Sequence, residues 1–171
     1  MNEKKILVID TSIFCVWLQL PNFQACGSDD DRWDYRRIDD KIEKEIAAKT
    51  TLVLPLATII ETGNHISQQP GDCYGLAKKF CDILKKSIDN THPWAAFSDQ
   101  SSLWSNERVR ELADSWPDLA AQKISIGDAT IKDVAEFYFK INFAVEIFTG
   151  DNGLKAYEPQ QSIVPRRRQK K

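Results

Sequence analysis

The sequence has 171 residues, which suits one domain with its own core and is short for two. Hydrophobic residues make up 42% and charged residues 28%, proportions that argue against wholesale disorder. The longest apolar stretch, 52–60, is interrupted by Pro55 and Thr58 and falls short of the ~18 residues of a membrane span. The N-terminus reaches an acid after four apolar residues, unlike a signal peptide. We therefore expect one cytoplasmic domain over 1–160, without a membrane partner.

The net charge of −2 is unevenly distributed along the chain. Five basic residues lie near the C-terminus: Arg166, Arg167, Arg168, Lys170 and Lys171. We expect 161–171 to be a basic, disordered tail, with an electrostatic arm for RNA or an acidic partner as the alternative. The four cysteines are Cys15, Cys26, Cys73 and Cys81. They form no CxxC pair and no zinc spacing with a histidine, so we expect reduced thiols, mostly in the core.

The first regular element is an apolar run over 6–9 that stops at Asp10. Its sequence, ILVI, is typical of a strand buried on both faces, and Thr11 or Ser12 can cap a following helix. An ionised carboxylate at the end of a buried strand is costly unless a cation, a metal or a set of donors accompanies it. The rest of the chain should therefore supply a partner for Asp10.

Helical and strand patterns then alternate. The spacing predicts a helix over 12–20 that ends at Pro21, a polar loop over 22–34 and an amphipathic helix from Tyr35. A strand over 50–54 is followed by a helix that begins at Pro55. This helix carries Glu61 and His65, which are four residues apart and therefore share one face.

The second half continues with helices over 71–88 and 107–116, the latter ended by Pro117, and an irregular connection over 90–105 between them. Asp128 falls in the first turn of the next helix, where the macrodipole favours an anion. A strand over 144–148 then runs into a hydroxyl and an acid, as the first strand does. This alternation predicts an α/β fold, a three-layer α/β/α arrangement with a central parallel sheet and ligand sites at the carboxyl ends of its strands.

Four segments, IDTSIF, ATIIETGNHI, ISIGDATI and FTGDNGL, occur in an order that resembles the PIN-domain nucleases, including toxin ribonucleases of bacterial toxin–antitoxin pairs. The resemblance spans most of the chain. It implies a single PIN-like domain whose sheet gathers four acids into a pocket that binds Mg²⁺ or Mn²⁺ and cuts single-stranded RNA. The implied catalytic and metal-binding acids are Asp10, Glu61, Asp128 and Asp151. The implied supporting residues are Thr11, Ser12, Thr149 and Asn152.

The chemistry explains why such a site uses acids. Two carboxylates ~4 Å apart in a partly shielded cleft repel by about 4 kcal/mol, so several together recruit cations or take up protons. Magnesium prefers oxygen ligands, and a metal held by Asp10, Asp128 and Asp151 would polarise a phosphate and activate a water. Glu61 would hold a second ion or orient that water. Each acid alone is compatible with a surface charge or a helix cap, and it is their joint placement that favours a metal site.

The sequence gives weaker signals for the residues that would contact the substrate. A lone histidine such as His65 is more often structural, with a substrate or phosphate contact as the alternative. RNA contacts would use Arg166, Arg167 and Arg168 of the tail, or local basic clusters. Those clusters are Lys78–Lys79, Lys85–Lys86 and Arg108–Arg110. The Trp-rich segment 93–116 departs from a minimal PIN domain and favours aromatic core or an oligomer interface over base stacking. The resemblance also implies a homodimer and, for toxins, an antitoxin.

Three alternatives compete with the nuclease, and the residues argue against each of them. The first is a PIN-like module that binds nucleic acid or assembles without catalysis. The second is a metal-dependent adhesion fold of the von Willebrand type, which reads D-x-S-x-S where this chain has Phe14 in place of the second serine. The third is a phosphatase with an aspartyl nucleophile, which would require D-x-D where this chain has Ser12.

Overall fold

The computed structural model describes residues 4–160. Within this range the strands are β1 (Lys5–Ile9), β2 (Ala25–Cys26), β3 (Trp33–Asp34), β4 (Thr51–Val53) and β5 (Ala144–Phe148). The α-helices are α1 (Thr11–Trp17), α2 (Tyr35–Ala47), α3 (Leu56–Ser67), α4 (Cys73–Ile88), α5 (Asn106–Ala121), α6 (Ile126–Lys140) and α7 (Asn152–Lys155). A 3-10 helix covers Phe97–Trp104.

The central sheet is parallel and has the strand order β4-β1-β5. Leu7 of β1 aligns with Leu52 on one side and with Glu146 on the other. The chain therefore pairs first on one side of β1 and later on the opposite side, which makes the carboxyl end of β1 a topological switch point. Open α/β sheets bind ligands at such points.

Both faces of the sheet are covered. Leu7 and Ile9 belong to a core that includes Phe14 of α1 and Ile38 of α2. Ile6 and Val8 point the other way, into a second core that contains Ile131, Val134 and Ala135 of α6. This mixed α/β structure agrees with the expected fold class and is compatible with three layers. The four residues 6–9 of β1 are all apolar because a strand covered on two faces has no solvated side.

The two edges of the sheet are also occupied. Beside β4, Leu52 exchanges backbone hydrogen bonds with Pro93 and Ala95, each 2.8 Å long. Beside β5, the N–H of Ile147 donates to Glu158 and its carbonyl accepts from Lys155, over 2.8 and 3.0 Å. Side chains thus take the place of a neighbouring strand, which blunts an edge that could otherwise pair with another chain.

Two expected helix ends were wrong. Helix α1 ends at Trp17 rather than near Pro21, because Gln19 adopts a left-handed backbone conformation with φ of 58°. Helix α5 runs through Pro117 to Ala121, although proline lacks an N–H and removes one helical hydrogen bond. Just past the end of the helix, the carbonyl of Ile124 accepts from the indole of Trp116 over 3.2 Å.

Two connections are more ordered than expected. The segment 22–34 contains the antiparallel hairpin β2–β3 instead of an unstructured polar loop. The segment 90–105 contains the 3-10 helix and the stretch that pairs with β4. The expectation that the cysteines are mostly core was wrong in detail, since only Cys15 is buried and Cys81 is exposed, while all four are free thiols as expected.

An ion-pair network lies beside the middle of β5. Lys5 contacts Glu45 and Glu146, each at 2.6 Å, and Lys41 contacts the same two acids at 2.7 and 3.0 Å. The network ties α2 to β1 and β5, and it places the charge of Glu146 in a strand that is otherwise apolar. Among residues 4–160, no helix is both long and apolar enough to cross a membrane.

Candidate functional site

Asp10 lies where β1 ends and α1 begins, and only 5% of its surface is exposed. Its Oδ1 accepts from the N–H of Thr11, the first residue of α1, over 2.6 Å. Its Oδ2 accepts from the hydroxyls of Ser12 and Thr149, both over 2.7 Å. Among the described residues, the Asp10 carboxylate is thus accompanied by three hydrogen-bond donors rather than by a cation.

These donors only partly offset the effect of burial on the pKa of Asp10. Burial raises the pKa of Asp10, the hydrogen bonds from Ser12 and Thr149 oppose that effect, and the charge of Asp128 raises the pKa further. Ionisation of Asp10 is therefore costlier here than in water, and a cation nearby would lower that cost.

The end of β5 contributes Thr149 and Asp151. The Thr149 hydroxyl donates to Asp10 and accepts from the N–H of Asp151 over 2.9 Å, so one hydroxyl connects the two predicted acids. Asp151 is exposed, and its Oδ1 caps α7 by accepting from Gly153 over 2.6 Å. Asn152, a predicted supporting residue, is the exposed first residue of that helix.

Glu61 reaches the same region from α3. Its Oε2 accepts from the Thr11 hydroxyl over 2.6 Å. The helix itself is attached to the end of β1, because the buried Thr58 hydroxyl donates to the carbonyl of Ile9 over 2.9 Å. Oε1 of Glu61 lies against Gly127, where an added Cβ would stand only 2.2 Å away. Residue 127 therefore has to lack a side chain if Glu61 keeps this position.

Asp128 follows Gly127 in the first turn of α6, as predicted. Its N–H donates to the hydroxyl of the N-cap Ser125 over 3.0 Å, and that hydroxyl donates to its Oδ2 over 2.8 Å. The Asp128 carboxylate thus takes part in capping the start of α6, a role with which each acid by itself is compatible. It is also close enough to Asp10 to raise the pKa of that group.

The structure therefore brings the four predicted acids to one end of the sheet, with different degrees of connection. The Thr149 hydroxyl links the Asp10 carboxylate to the backbone N–H of Asp151, and Thr11 links Asp10 to Glu61 through its N–H and its hydroxyl. The charge of Asp128 raises the pKa of Asp10 without a hydrogen bond between them. Across residues 4–160, no group of three or more acids, histidines or cysteines is arranged to hold a metal ion. Asp10, Asp128 and Asp151 each turn toward donors near them in the chain.

His65 has a packing partner. Its ring lies 4.8 Å from the ring of Phe23, between centroids, in a tilted arrangement. This contact agrees with the structural role that is more common for a lone histidine. The remaining predicted substrate contacts, Arg166, Arg167 and Arg168, lie outside the described residues.

The sequence did not predict that the β2–β3 hairpin borders the site, nor that the Cys26 thiol faces it. The β2–β3 hairpin approaches the end of β5, where a Cβ on Gly150 would come within 2.7 Å of the Gly27 nitrogen and 3.0 Å of the Cys26 sulfur. Burial raises the pKa of the Cys26 thiol, with the Ser12 hydroxyl opposing, so this wall of the site is neutral. The glycines at positions 27, 127 and 150 were the available signal, because close backbone approach often requires glycine.

No family model, curated protein or solved structure matches this chain. The donors gathered here are carboxylate and hydroxyl oxygens, a set that suits hard cations such as Mg²⁺ or Mn²⁺ rather than zinc.

Proposed function

We propose that this chain is a metal-dependent endoribonuclease with a PIN-like domain, which hydrolyses phosphodiester bonds of single-stranded RNA. The proposal is supported above all by the buried Asp10 at a sheet switch point, with Asp128 near it. Thr149 connects Asp10 to the backbone N–H of Asp151, and Thr11 donates its N–H to Asp10 and its hydroxyl to Glu61. The acids occur in the order that the family resemblance implies.

The proposed cofactor is Mg²⁺ or Mn²⁺, held by Asp10, Asp128 and Asp151 with Glu61 nearby. The donor types suit such an ion, because Mg²⁺ and Mn²⁺ prefer carboxylate oxygens and because a nearby cation would favour the ionised form of the buried Asp10. Binding would require the carboxylates of Asp128 and Asp151 to turn from their helix-capping donors toward Asp10. When bound, the ion would supply Lewis-acid stabilisation of the phosphate and a bound water of lowered pKa.

The side chains of the site have distinct proposed tasks. Ser12 and Thr149 fix Asp10 by donating to the same oxygen, and Thr11 fixes Glu61. Glu61, held through Oε2, orients the attacking water with its other oxygen. The water oxygen bonds to phosphorus, the bond to the leaving ribose oxygen breaks, and a proton passes to that oxygen. This reaction leaves one phosphate monoester and one free hydroxyl, without a covalent enzyme intermediate.

Neutralising the acids tests this proposal. Asp10→Asn and Asp151→Asn are each expected to abolish Mn²⁺-dependent cleavage of a labelled single-stranded RNA. Asn still caps helices, so Asp151→Asn removes the charge while α7 keeps its cap. The matched control is Asp72→Asn, which changes an N-cap aspartate on α4, away from the site. Metal-dependent cleavage at the original rate by both site variants would contradict the proposal.

A non-catalytic PIN-like module that binds nucleic acid or assembles with other proteins is the second candidate. It is favoured by the local hydrogen bonds of the acids, since Asp151 and Asp128 both act in helix capping. The two functions differ in metal affinity. Calorimetry that detects no Mn²⁺ binding at millimolar concentration would favour the module, whereas binding that is lost in Asp10→Asn would favour the nuclease.

The proposed partners follow from the nuclease assignment. The RNA backbone would contact exposed lysines of α4, namely Lys78, Lys79, Lys85 and Lys86. Counterion release at such contacts makes binding salt-dependent, so affinity should fall steeply as salt rises. A homodimer, and an antitoxin that restrains a toxin of this kind, are proposed from the family resemblance. Sedimentation and co-purification with the neighbouring gene product would test them.

A further inference from the structure

An open cavity of about 240 Å³ lies next to Glu61. Its walls come from α3, the 3-10 helix, α5 and the first turn of α6, and most of its lining is apolar. Three large hydrophobic residues in this lining are unusually accessible: Ile60 is 54%, Trp104 39% and Ile126 49% exposed. Exposed apolar surface in a concave site is typical of a ligand-binding region.

The polar atoms of the cavity are largely engaged elsewhere. The Thr130 hydroxyl donates to the Gly127 carbonyl over 2.7 Å, and Oε2 of Glu61 accepts from Thr11. No basic side chain is among the described lining residues, so the cavity does not suit a phosphate. An indole beside aliphatic groups instead suits the face of a flat, uncharged ring.

The cavity and the proposed nuclease site share a wall. Glu61 and Gly127 line the cavity, while Glu61 is linked to the acidic site through Thr11 and Gly127 precedes Asp128. An RNA whose phosphate lay at the acids would therefore place a neighbouring nucleotide beside this opening. The volume is below the roughly 300–1,000 Å³ of pockets for drug-sized ligands, which matches a single ring system.

We propose that this cavity is a subsite for one unpaired nucleobase of a single-stranded RNA, which stacks on Trp104. The location of the RNA backbone rests on the proposed nuclease function. Every base presents a ring face, and the lining offers few free hydrogen-bonding groups. The subsite should therefore accept different bases with little sequence preference, and it should reject base-paired RNA.

The test measures binding of a short labelled single-stranded RNA by fluorescence anisotropy, at low salt and with EDTA, so that binding is observed without cleavage. Trp104→Ala is expected to raise the Kd about fivefold to 150-fold, the range for loss of one aromatic stacking partner. Trp104→Phe, which keeps a ring, should restore most of the affinity. Tyr35→Ala removes an aromatic side chain that is 36% exposed at the start of α2, a helix outside the proposed RNA contacts, and should leave the Kd unchanged.

An RNA series identifies the occupied base. One abasic position should weaken binding to the original protein by a similar factor and should not weaken binding to Trp104→Ala further. Equal Kd values for the original protein and Trp104→Ala would overturn the subsite, as would an original protein that does not bind the RNA. A dimer that becomes monomeric in Trp104→Ala while its RNA affinity is unchanged would assign this face to subunit contact instead.

The two proposals fail in different ways. If the Trp104 variants behave as expected in EDTA but the original protein cuts no RNA with Mn²⁺, the subsite stands and the nuclease is rejected. If Asp10→Asn abolishes cleavage while Trp104→Ala binds RNA normally, the nuclease stands and the subsite is rejected.

Discussion

The hydroxyl of Thr11 donates to the carboxylate of Glu61 over 2.6 Å, and the two residues are 50 positions apart in the chain. The same residue donates its N–H to Asp10, so one threonine orients two acids. Thr11 is buried, and its donors are fixed by the first turn of α1. The relative position of Asp10 and Glu61 is therefore set by a helix start rather than by the acids themselves.

Removing the Thr11 hydroxyl should loosen Glu61. Thr11→Val preserves the shape but leaves Oε2 of Glu61 without this donor, and a hydrogen bond to a charged group contributes about 1.5–3 kcal/mol. We expect RNA cleavage to fall at least tenfold, while Thr11→Ser, which keeps the hydroxyl, retains most of it. Single-turnover rates with Mn²⁺ provide the measurement. Equal rates for Thr11→Val and the original protein would mean that this bond does not position Glu61 for catalysis.

Gly127→Ala should separate stability from activity. The new Cβ would stand 2.2 Å from Oε1 of Glu61 and displace that side chain, although alanine is the better helix former by about 1 kcal/mol. We expect reduced cleavage with an unfolding free energy that changes by less than about 1 kcal/mol. Gly63→Ala is the matched control, since a Cβ there meets nothing within 4 Å. It should be stabilising and fully active, and cleavage lost equally in both variants would contradict the role of Gly127.

Asp10→Asn should stabilise the protein when no divalent metal is present. Burial raises the pKa of Asp10, so this carboxyl favours folding at acid pH and its contribution is lost as pH rises through that raised pKa. A neutral amide removes the penalty at pH 7. We expect the Tm in EDTA to rise by about 2–4 °C, which corresponds to about 1 kcal/mol for a chain of this size.

The same pair of proteins should respond differently to metal. Mn²⁺ should raise the Tm of the original protein, because a ligand that binds only the folded state stabilises it, and should leave Asp10→Asn unchanged. Thermal denaturation followed by circular dichroism measures both effects. A lower Tm of Asp10→Asn in EDTA would show that the three hydrogen bonds of Asp10 outweigh its burial.

The ion-pair network should make stability fall at acid pH. Burial alone would raise the pKa of Glu45, but hydrogen bonds from Lys41, Lys5 and Thr50 outweigh it and lower the pKa to about 2. The contribution is therefore present above the unfolded-state value of 4.5 and is lost as pH falls from there toward about 2. The unfolding free energy, measured with urea at several pH values in this range, should fall as pH falls. Glu45→Gln should make that fall less steep. An unchanged slope in Glu45→Gln would assign the acid sensitivity to other groups.

Several elements could be predicted because their determinants are local. The apolar run before Asp10 specified a buried strand, and the four-residue spacing from Ile38 specified the amphipathic α2. Pro117 and the hairpin over 22–34 were misjudged because packing and pairing with distant residues outweighed local propensity there. Local patterns contain no information about those distant partners.

The sequence by itself determined the order of the three parallel strands along the chain and of the main helices, and it placed Asp10 and Asp151 directly after strands, since that pattern depends on nearby residues. Tertiary structure alone decided which groups meet: the Thr149 hydroxyl that reaches Asp10 from 139 residues away, and the contact of Glu61 with Gly127. These contacts depend on sheet order and on how helices lie across it. Side-chain positions fixed by such long-range packing cannot be read from spacing along the chain.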